Sequence, residues 1–452
     1  MAEPDKSRFQ SSTVSFADVA HQTLLFDKQD AGDSLVLRLL DTRWVQRLRS
    51  ISQTGNTKLV YMYSEHSRFG HSLGVAYLAS LLMKKLRAQY PDLVQPYEET
   101  VAAAAILHDT GHVAPGSHLA ERMWAPAFAK LHETVTRRVV EEDPEIQAIL
   151  GGREPQLASG VCRLLAEDER MPPWTRAVIS GGGWNADRGN WSVVDSAMCA
   201  VSYGRYNVTA LIDAFCLSPE GELLLQENRL DALTHFFVAR DSMYRQVYQH
   251  RVLQAADALT QSIVLRVKDI LGEKGADAGS AAAMLGEAGI YCDEVMAQVL
   301  CSPQYAELPL ATIFQMTETW WSYHVAMWCQ AKDKILADLA TRLRDRRLFK
   351  TMRLEGPKGS DQDERNQHLL QQAQTEASTL GYPPRYYVWT IKEKDKHRQK
   401  TEQLPMVALE SGGTLPVTAI EPLIDQIMKR PPLTRRWLAV PAEVKAHLGR
   451  TR

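Results

Sequence analysis

The strongest constraint on this chain is the spacing of its apolar residues over the first 350 positions. In "SLVLRLLDTRWVQRLRSI", "SLGVAYLASLLMKKLRAQY", "EETVAAAAILHD", "LHETVTRRVVEE" and the long "LDALTHFFVARDSMYRQVYQHRVLQAADALTQSIVLRVKDIL", apolar positions recur at intervals of three and four, with charge on the opposite face. That period gathers apolar side chains into one stripe of an α-helix, and such stripes are buried by packing against one another. An all-α core follows. Turn-forming residues cluster between the runs, at "GHVAPGSH", "ILGGREP", "RMPPW", "SGGGWNADRGN" and "SPEGE".

Past "RLRDRRLFK" the pattern changes. A polar stretch, "EGPKGSDQDERNQH", leads into shorter pieces, "RYYVWTIKEK" and "LPMVALES", which read as strands of a small α/β region. The expected organisation is a helical domain over 1–352 and a C-terminal α/β region over 353–452.

The chain has 452 residues, 45% hydrophobic and 23% charged, which excludes disordered and collagen-like classes and leaves room for one large or two medium domains. A formal charge of −2 argues against a protein built mainly to neutralise a nucleic-acid backbone. The basic runs Arg342 to Lys350 and Lys392 to Lys400 read as solvated faces. Six cysteines without a CxxC pair read as buried thiols, not as a zinc ribbon or a disulfide framework. The segment "MAEPDKSRFQSS" has no apolar leader core, and no run approaches the roughly 18 apolar residues of a membrane span. The expectation is a soluble cytoplasmic protein.

Against this helical background the histidines are unevenly placed. Of thirteen in the chain, six (66, 71, 108, 112, 118 and 132) fall between Glu65 and Glu133. A lone histidine is more often a satisfied core or helix-end residue, but accident does not concentrate six of them. His71 opens one helical run, and the His108-Asp109 pair closes the alanine-rich one. Imidazole nitrogens and carboxylate oxygens together suit divalent cations that activate water.

The order of "DTRWVQRLRSISQTGN", "HSRFGHSLGVAYLA", "ILHDTGHVAPGSH", "LHE" and "ARDSMYRQVYQHR" resembles the HD phosphohydrolase superfamily, in its dNTP triphosphohydrolase branch, over roughly residues 35–350. The resemblance implies an HD-domain helical bundle that binds one or two divalent metals (Mn, Fe, Co, Ni, Zn or Mg) through an H…HD…D signature. His71, His108 and Asp109 match its first three ligands. The family's D-x-D-[KR]-x-D-Y-x-x-R-D segment is similar to "NADRGNWSVVD", Asn185 to Asp195, which makes Asp187 the fourth ligand and Arg188 a phosphate contact. Without the family, Asp187 reads as a solvated residue in a glycine-rich loop.

By the same resemblance His112, His132 with Glu133, and His118 face the phosphates as acids or charge stabilisers. Arg68 and Arg240 match phosphate-binding arginines, whose planar fork grips two oxygens at once. Gln53 matches a contact to the sugar 3′-hydroxyl, and Asp195 an acid that helps read the sugar. Tyr244 and Tyr248, four residues apart, read equally as core or as substrate contacts. The implied reaction is hydrolysis of a dNTP to deoxynucleoside and triphosphate by a homo-oligomer. Two alternatives stand beside it: a nuclease acting on single-stranded DNA or RNA ends, and a non-catalytic HD scaffold that binds a nucleotide or a protein.

Several positions depart from the family pattern. Gly70 stands where relatives carry glutamate, one extra residue precedes His118, and Thr54 replaces a leucine. Asn185 and Asn190 replace acids, and Trp191 replaces a tyrosine and so lacks its hydroxyl. All of these lie near the expected substrate pocket.

Overall fold

The helix Glu98–Leu107 shows how the core is built, for every residue from Val101 to Leu107 is buried. A helix that is apolar all round must be surrounded, and this one packs against the helices Ala31–Leu40, Arg68–Gln89 and Leu157–Leu165. Its four consecutive alanines keep side chains short on every face, so neighbouring axes approach closely. The computed structural model describes residues 12–128, 130–181, 183–275, 277–355, 361–393, 404–430 and 435–450. It is mainly helical with small sheets, as the apolar spacing requires.

Four helices frame the site. Arg68–Gln89 and Ala186–Met198 lie against each other, Leu131–Glu142 covers the segment after His108, and Arg251–Lys274 closes the far side. Arg47 ties this frame together from inside. Its buried guanidinium donates to the carbonyls of His112 (2.7 Å), Phe314 (2.7 Å) and Ile313 (2.8 Å), and it lies over the Trp44 ring. Burial lowers its pKa to about 9, which still leaves it charged at neutral pH.

The helical reading did not anticipate an N-terminal hairpin, Thr13–Asp18 paired antiparallel with Gln22–Asp27. Asp18 Oδ1 closes its turn by accepting from the backbone N–H of Ala20 (2.8 Å) and His21 (2.7 Å). Alternation buries Leu24 and Phe26 against the helical core.

Near the C-terminus one three-stranded sheet has Arg435–Val440 at its centre, antiparallel to both Lys350–Leu354 and Trp389–Glu393. Position 353 thus lies within a strand. The helices Asp361–Thr379 and Ala442–Arg450 cover this sheet around Ala373, Ala377, Val444 and Leu448. A second sheet joins distant parts of the chain: Phe215–Leu217 and Leu223–Gln226 form a hairpin, and Met406–Ala408 adds to it in parallel, followed by Thr414–Pro416.

Four local expectations are corrected. "RYYVWTIKEK" begins as the helical turn Pro384–Tyr387, because a proline at the first helical position has the right φ and lacks only an N–H that would be unpaired; the strand starts at Trp389. In "LPMVALES" only Met406–Ala408 is extended as a paired strand. Arg342 is buried, not solvated, and reaches Asp338 (2.7 Å), Glu443 (3.1 Å) and the Tyr382 hydroxyl (3.0 Å). All six cysteines are free, but only Cys162, Cys199 and Cys216 are buried; Cys292, Cys301 and Cys329 are partly exposed. Of the second basic run, 394–400 lie outside the described residues. Among the described residues no helix is long and apolar enough to cross a membrane.

Candidate metal centre and substrate pocket

Three helix ends deliver the candidate ligands. His71 stands in the first turn of Arg68–Gln89, His108 caps the C-terminal end of Glu98–Leu107, and Asp187 lies in the first turn of Ala186–Met198. The last helix starts there because Asn185, one of the acid replacements, caps it: its side-chain oxygen accepts from the Arg188 N–H at 2.8 Å. A donor atom from each of His71, His108 and Asp187 lies within 4.8 Å of the others. Asp187 Oδ1 is 3.1 Å from His71 Nε2 and 4.0 Å from His108 Nε2.

Asp109 borders the same space, with Oδ1 3.4 Å from His108 Nε2 and Oδ2 3.7 Å from His71 Nε2. Its Oδ2 also accepts from Arg68 Nη1 at 2.5 Å. Burial alone would raise the Asp109 carboxyl, but the charges of His108, Arg68 and His112 hold it well below the usual carboxylate range.

His108 offers the clearest test of whether these residues suit a cation. Its Nδ1 is 2.8 Å from the Ala105 carbonyl, an acceptor only, so Nδ1 carries the proton and Nε2 keeps its lone pair. That Nε2 is buried and has no hydrogen-bond partner. An orphaned imidazole nitrogen facing two carboxylates fits a divalent ion, and the mixed nitrogen and oxygen set suits first-row metals.

A cavity of about 240 Å³ opens beside this group. It collects most of the residues singled out in the sequence: Gln53, Arg68, Asp109, His112, His118, His132, Asp187, Trp191, Asp195 and Tyr244 all line it. Asp187, Trp191 and Asp195 do so because positions four apart share one helix face. Trp191, Tyr244 and Tyr248 form an aromatic wall, with ring centroids 5.2 to 5.6 Å apart and edge-to-face contacts. A single π-helical turn, Tyr244–Tyr248, brings both tyrosines to it.

Arg188, Arg240 and Glu133 are not among the lining residues. Arg188 Nη1 donates to the Gly183 carbonyl at 3.3 Å, and Arg240 sits behind Tyr244, its guanidinium 5.0 Å from the ring. Burial and the neighbouring Arg240 lower the Arg188 pKa. Glu133 turns outward and pairs with Lys130 at 2.8 Å. The carboxylate that holds His132 is instead Glu121, 2.8 Å from Nδ1. No local spacing pointed to it, since Glu121 and His132 lie eleven positions apart and on different helices.

His112 and His132 stack at 4.0 Å. Burial, then the charges of Arg68 and His132, push His112 well below its ordinary value, so it is neutral at pH 7. His118, at the cavity mouth, is lowered to about 4 by its loss of hydration and by His132. Glu121 is held near 2: burial opposes its ionisation, but the hydrogen bond and charge of His132 prevail.

Asp195 is held by two residues whose roles the sequence did not disclose. It accepts from His66 Nε2 (2.8 Å) and from the Tyr248 hydroxyl (2.5 Å). Burial and the adjacent Asp195 charge keep the Tyr248 phenol well above its usual range, hence a donor. At Gly70 a Cβ would meet nothing within 4 Å, so the lost glutamate leaves open space and no packing defect.

Comparison with known proteins agrees with this architecture. Residues 68–177 match the HD domain family. The chain is 27% identical over 394 residues to the uncharacterised protein YwfO of Bacillus subtilis, spanning 85% of this chain and 83% of that one. A shorter stretch of 94 residues is 43% identical to the deoxynucleoside triphosphate triphosphohydrolase SAMHD1 of Danio rerio, covering 20% of this chain and 15% of that protein. The fold is similar to that of a phosphohydrolase from Bacteroides thetaiotaomicron, with a TM-score of 0.77, 20% identity and coverage of 95% and 99% of the two chains.

Proposed function

Taking as premise that this chain carries an HD domain of the phosphohydrolase kind, we propose that it is a metal-dependent nucleotide phosphohydrolase that cleaves dNTPs to deoxynucleoside and triphosphate. One observation carries the reading: His71, His108 and Asp187 converge on a common point at the wall of a cavity that also holds Arg68, two stacked histidines and an aromatic face. Partial similarity to deoxynucleoside triphosphate triphosphohydrolases supports the choice of substrate.

His71, His108 and Asp187, with Asp109 beside them, would hold the cation, which when bound polarises water and offsets phosphoryl charge. The remaining work falls to the chain. Arg68, anchored through Nη1 on Asp109 and reaching the Gln53 carbonyl at 3.4 Å through Nη2, lines the cavity and supplies positive charge for non-bridging phosphate oxygens. His112, neutral, contributes a hydrogen bond and not a charge. His132 donates through Nδ1 to Glu121, which orients the ring; in its doubly protonated form it can pass the Nε2 proton to the departing oxygen, whereas Glu133, expected beside it in that role, faces away. Trp191, Tyr244 and Tyr248 supply an apolar wall against which a nucleoside stacks, and Asp195, held by His66 and Tyr248, is placed to accept from a sugar hydroxyl.

The test is to load the protein with Mn, Mg, Co or Fe, incubate it with each dNTP and NTP, and separate inorganic triphosphate from monophosphate products. Triphosphate release from dNTPs is the expected result. No turnover with any metal overturns the proposal, and degradation of single-stranded DNA in its place transfers the chemistry to a nuclease.

A further inference from the structure

Asn190, one of the acid replacements, is fully buried between the N-terminal hairpin and the helix that carries His71. Its Nδ2 lies 3.1 Å from the His71 carbonyl and 3.0 Å from His71 Nδ1, and its Oδ1 lies 2.9 Å from His21 Nε2. A backbone carbonyl only accepts, so the nitrogen of the amide must face it, and the amide cannot be turned over without opposing two oxygens. The His71 Nδ1 beside that nitrogen is then the acceptor. Its proton sits on Nε2, which donates to Asp187 Oδ1 at 3.1 Å.

The space for this arrangement is reserved. A Cβ at Gly74, one turn beyond His71, would come within 2.3 Å of Asn190 Oδ1 and 2.8 Å of Nδ2. His21 is in turn held by the hairpin: Asp18 caps its backbone N–H, and its ring lies 5.8 Å from that of Tyr77. A directed series of donors therefore runs from the hairpin turn to the candidate centre, from His21 to Asn190 to His71 to Asp187.

We infer that Asn190, clamped by His21, is a positioning residue that holds His71 in the tautomer opposed to cation binding, and so couples the N-terminal hairpin to the metal centre. The inference rests on His71 being a cation ligand. Of the two histidines, His108 is already set with an unengaged lone pair on its buried Nε2, whereas His71 is not. To ligate, His71 must shift its proton to Nδ1, where it meets an amide N–H. Either the amide turns over, against the His71 carbonyl and away from His21, or the clamp opens. Partners of this kind typically alter metal affinity by about 10- to 100-fold.

The experiment uses Mn2+ as probe and the whole chain at fixed pH. Calorimetry is run on the wild type, on Asn190→Asp, whose carboxylate accepts a proton at Nδ1, and on His21→Ala, which releases the amide. Tightening by about tenfold in Asn190→Asp, with a smaller tightening in His21→Ala, is the expected result. Nitrogen-15 spectra of histidine-labelled, metal-free protein provide a second readout: an Nε2–H tautomer at His71 in the wild type and an Nδ1–H tautomer in Asn190→Asp. Unchanged or weaker Mn2+ binding in both variants, or an Nδ1–H tautomer in the wild type, overturns the inference. If the wild type binds no Mn2+ at all, the metal reading of the site fails, while the spectra still decide the tautomer. Should Asn190→Asp not fold, His21→Ala and the wild-type spectrum decide alone.

Discussion

Arg47→Met removes the cation that ties the frame together and leaves its shape nearly filled. Three carbonyl oxygens, those of His112, Phe314 and Ile313, lose donors at 2.7 to 2.8 Å. A hydrogen bond to a charged group contributes about 1.5–3 kcal/mol, and a buried carbonyl left bare costs about 1–3 kcal/mol. Against this, the variant no longer dehydrates a guanidinium, a cost large enough to bring the Arg47 pKa down to about 9. The net expectation is a loss of about 4 kcal/mol. With an unfolding entropy near 2 cal/mol/K per residue over 452 residues, that lowers Tm by about 4 °C if the chain unfolds as one unit. Differential scanning calorimetry on wild type, Arg47→Met and Arg47→Lys would read it, with lysine intermediate because it keeps charge but not the planar fork. A fall of less than about 1 °C in Arg47→Met would refute the claim that these carbonyls depend on the guanidinium.

Other perturbations address the site. His108→Gln removes the orphaned Nε2 and should reduce bound metal, measured by plasma emission on the purified protein, to below about a tenth of the wild-type content, with the circular dichroism spectrum unchanged. Trp191→Ala deletes an edge-to-face partner of both Tyr244 and Tyr248, and KM for a dNTP should rise about tenfold, or 1.4 kcal/mol, with a smaller change in kcat. Glu121 has a carboxyl held near 2 in the folded chain against 4.5 ordinarily, so its stabilising contribution is complete above about pH 4.5 and disappears as the pH falls towards 2. The Tm gap between wild type and Glu121→Gln should therefore shrink as the pH falls from about 4.5 towards 2; a gap that widens over that interval would contradict the pairing of Glu121 with His132.

The helical class and the first part of the candidate metal site were legible because both are written in local spacing. Intervals of three and four identify helices whatever they pack against, and His71 and His108-Asp109 sit at helix ends, where the chain is free to carry groups that a helix interior disfavours. Asp187 was reachable only through the family resemblance. Nothing local separates it from a solvated loop acid until Asn185 is seen to cap the helix that aims it.

What the tertiary structure decided is pairing across distance. Leu223–Gln226 joins Met406–Ala408 through strands too short to carry a period of two, and such a match depends on which edges the fold leaves side by side. The choice of Glu121 over Glu133 for His132 turns on the direction of side chains: neighbours in a helix diverge by about 100°, whereas a residue eleven positions earlier is folded back onto the ring. The contact between His21 and Asn190 spans 169 positions. Amino-acid order alone determined most of the helices and singled out His71, His108 and Asp109, because backbone periodicity is local; which acid serves which histidine was settled only when separate helices converged, because a hydrogen bond requires atoms within about 3 Å and carries no trace in the intervening sequence.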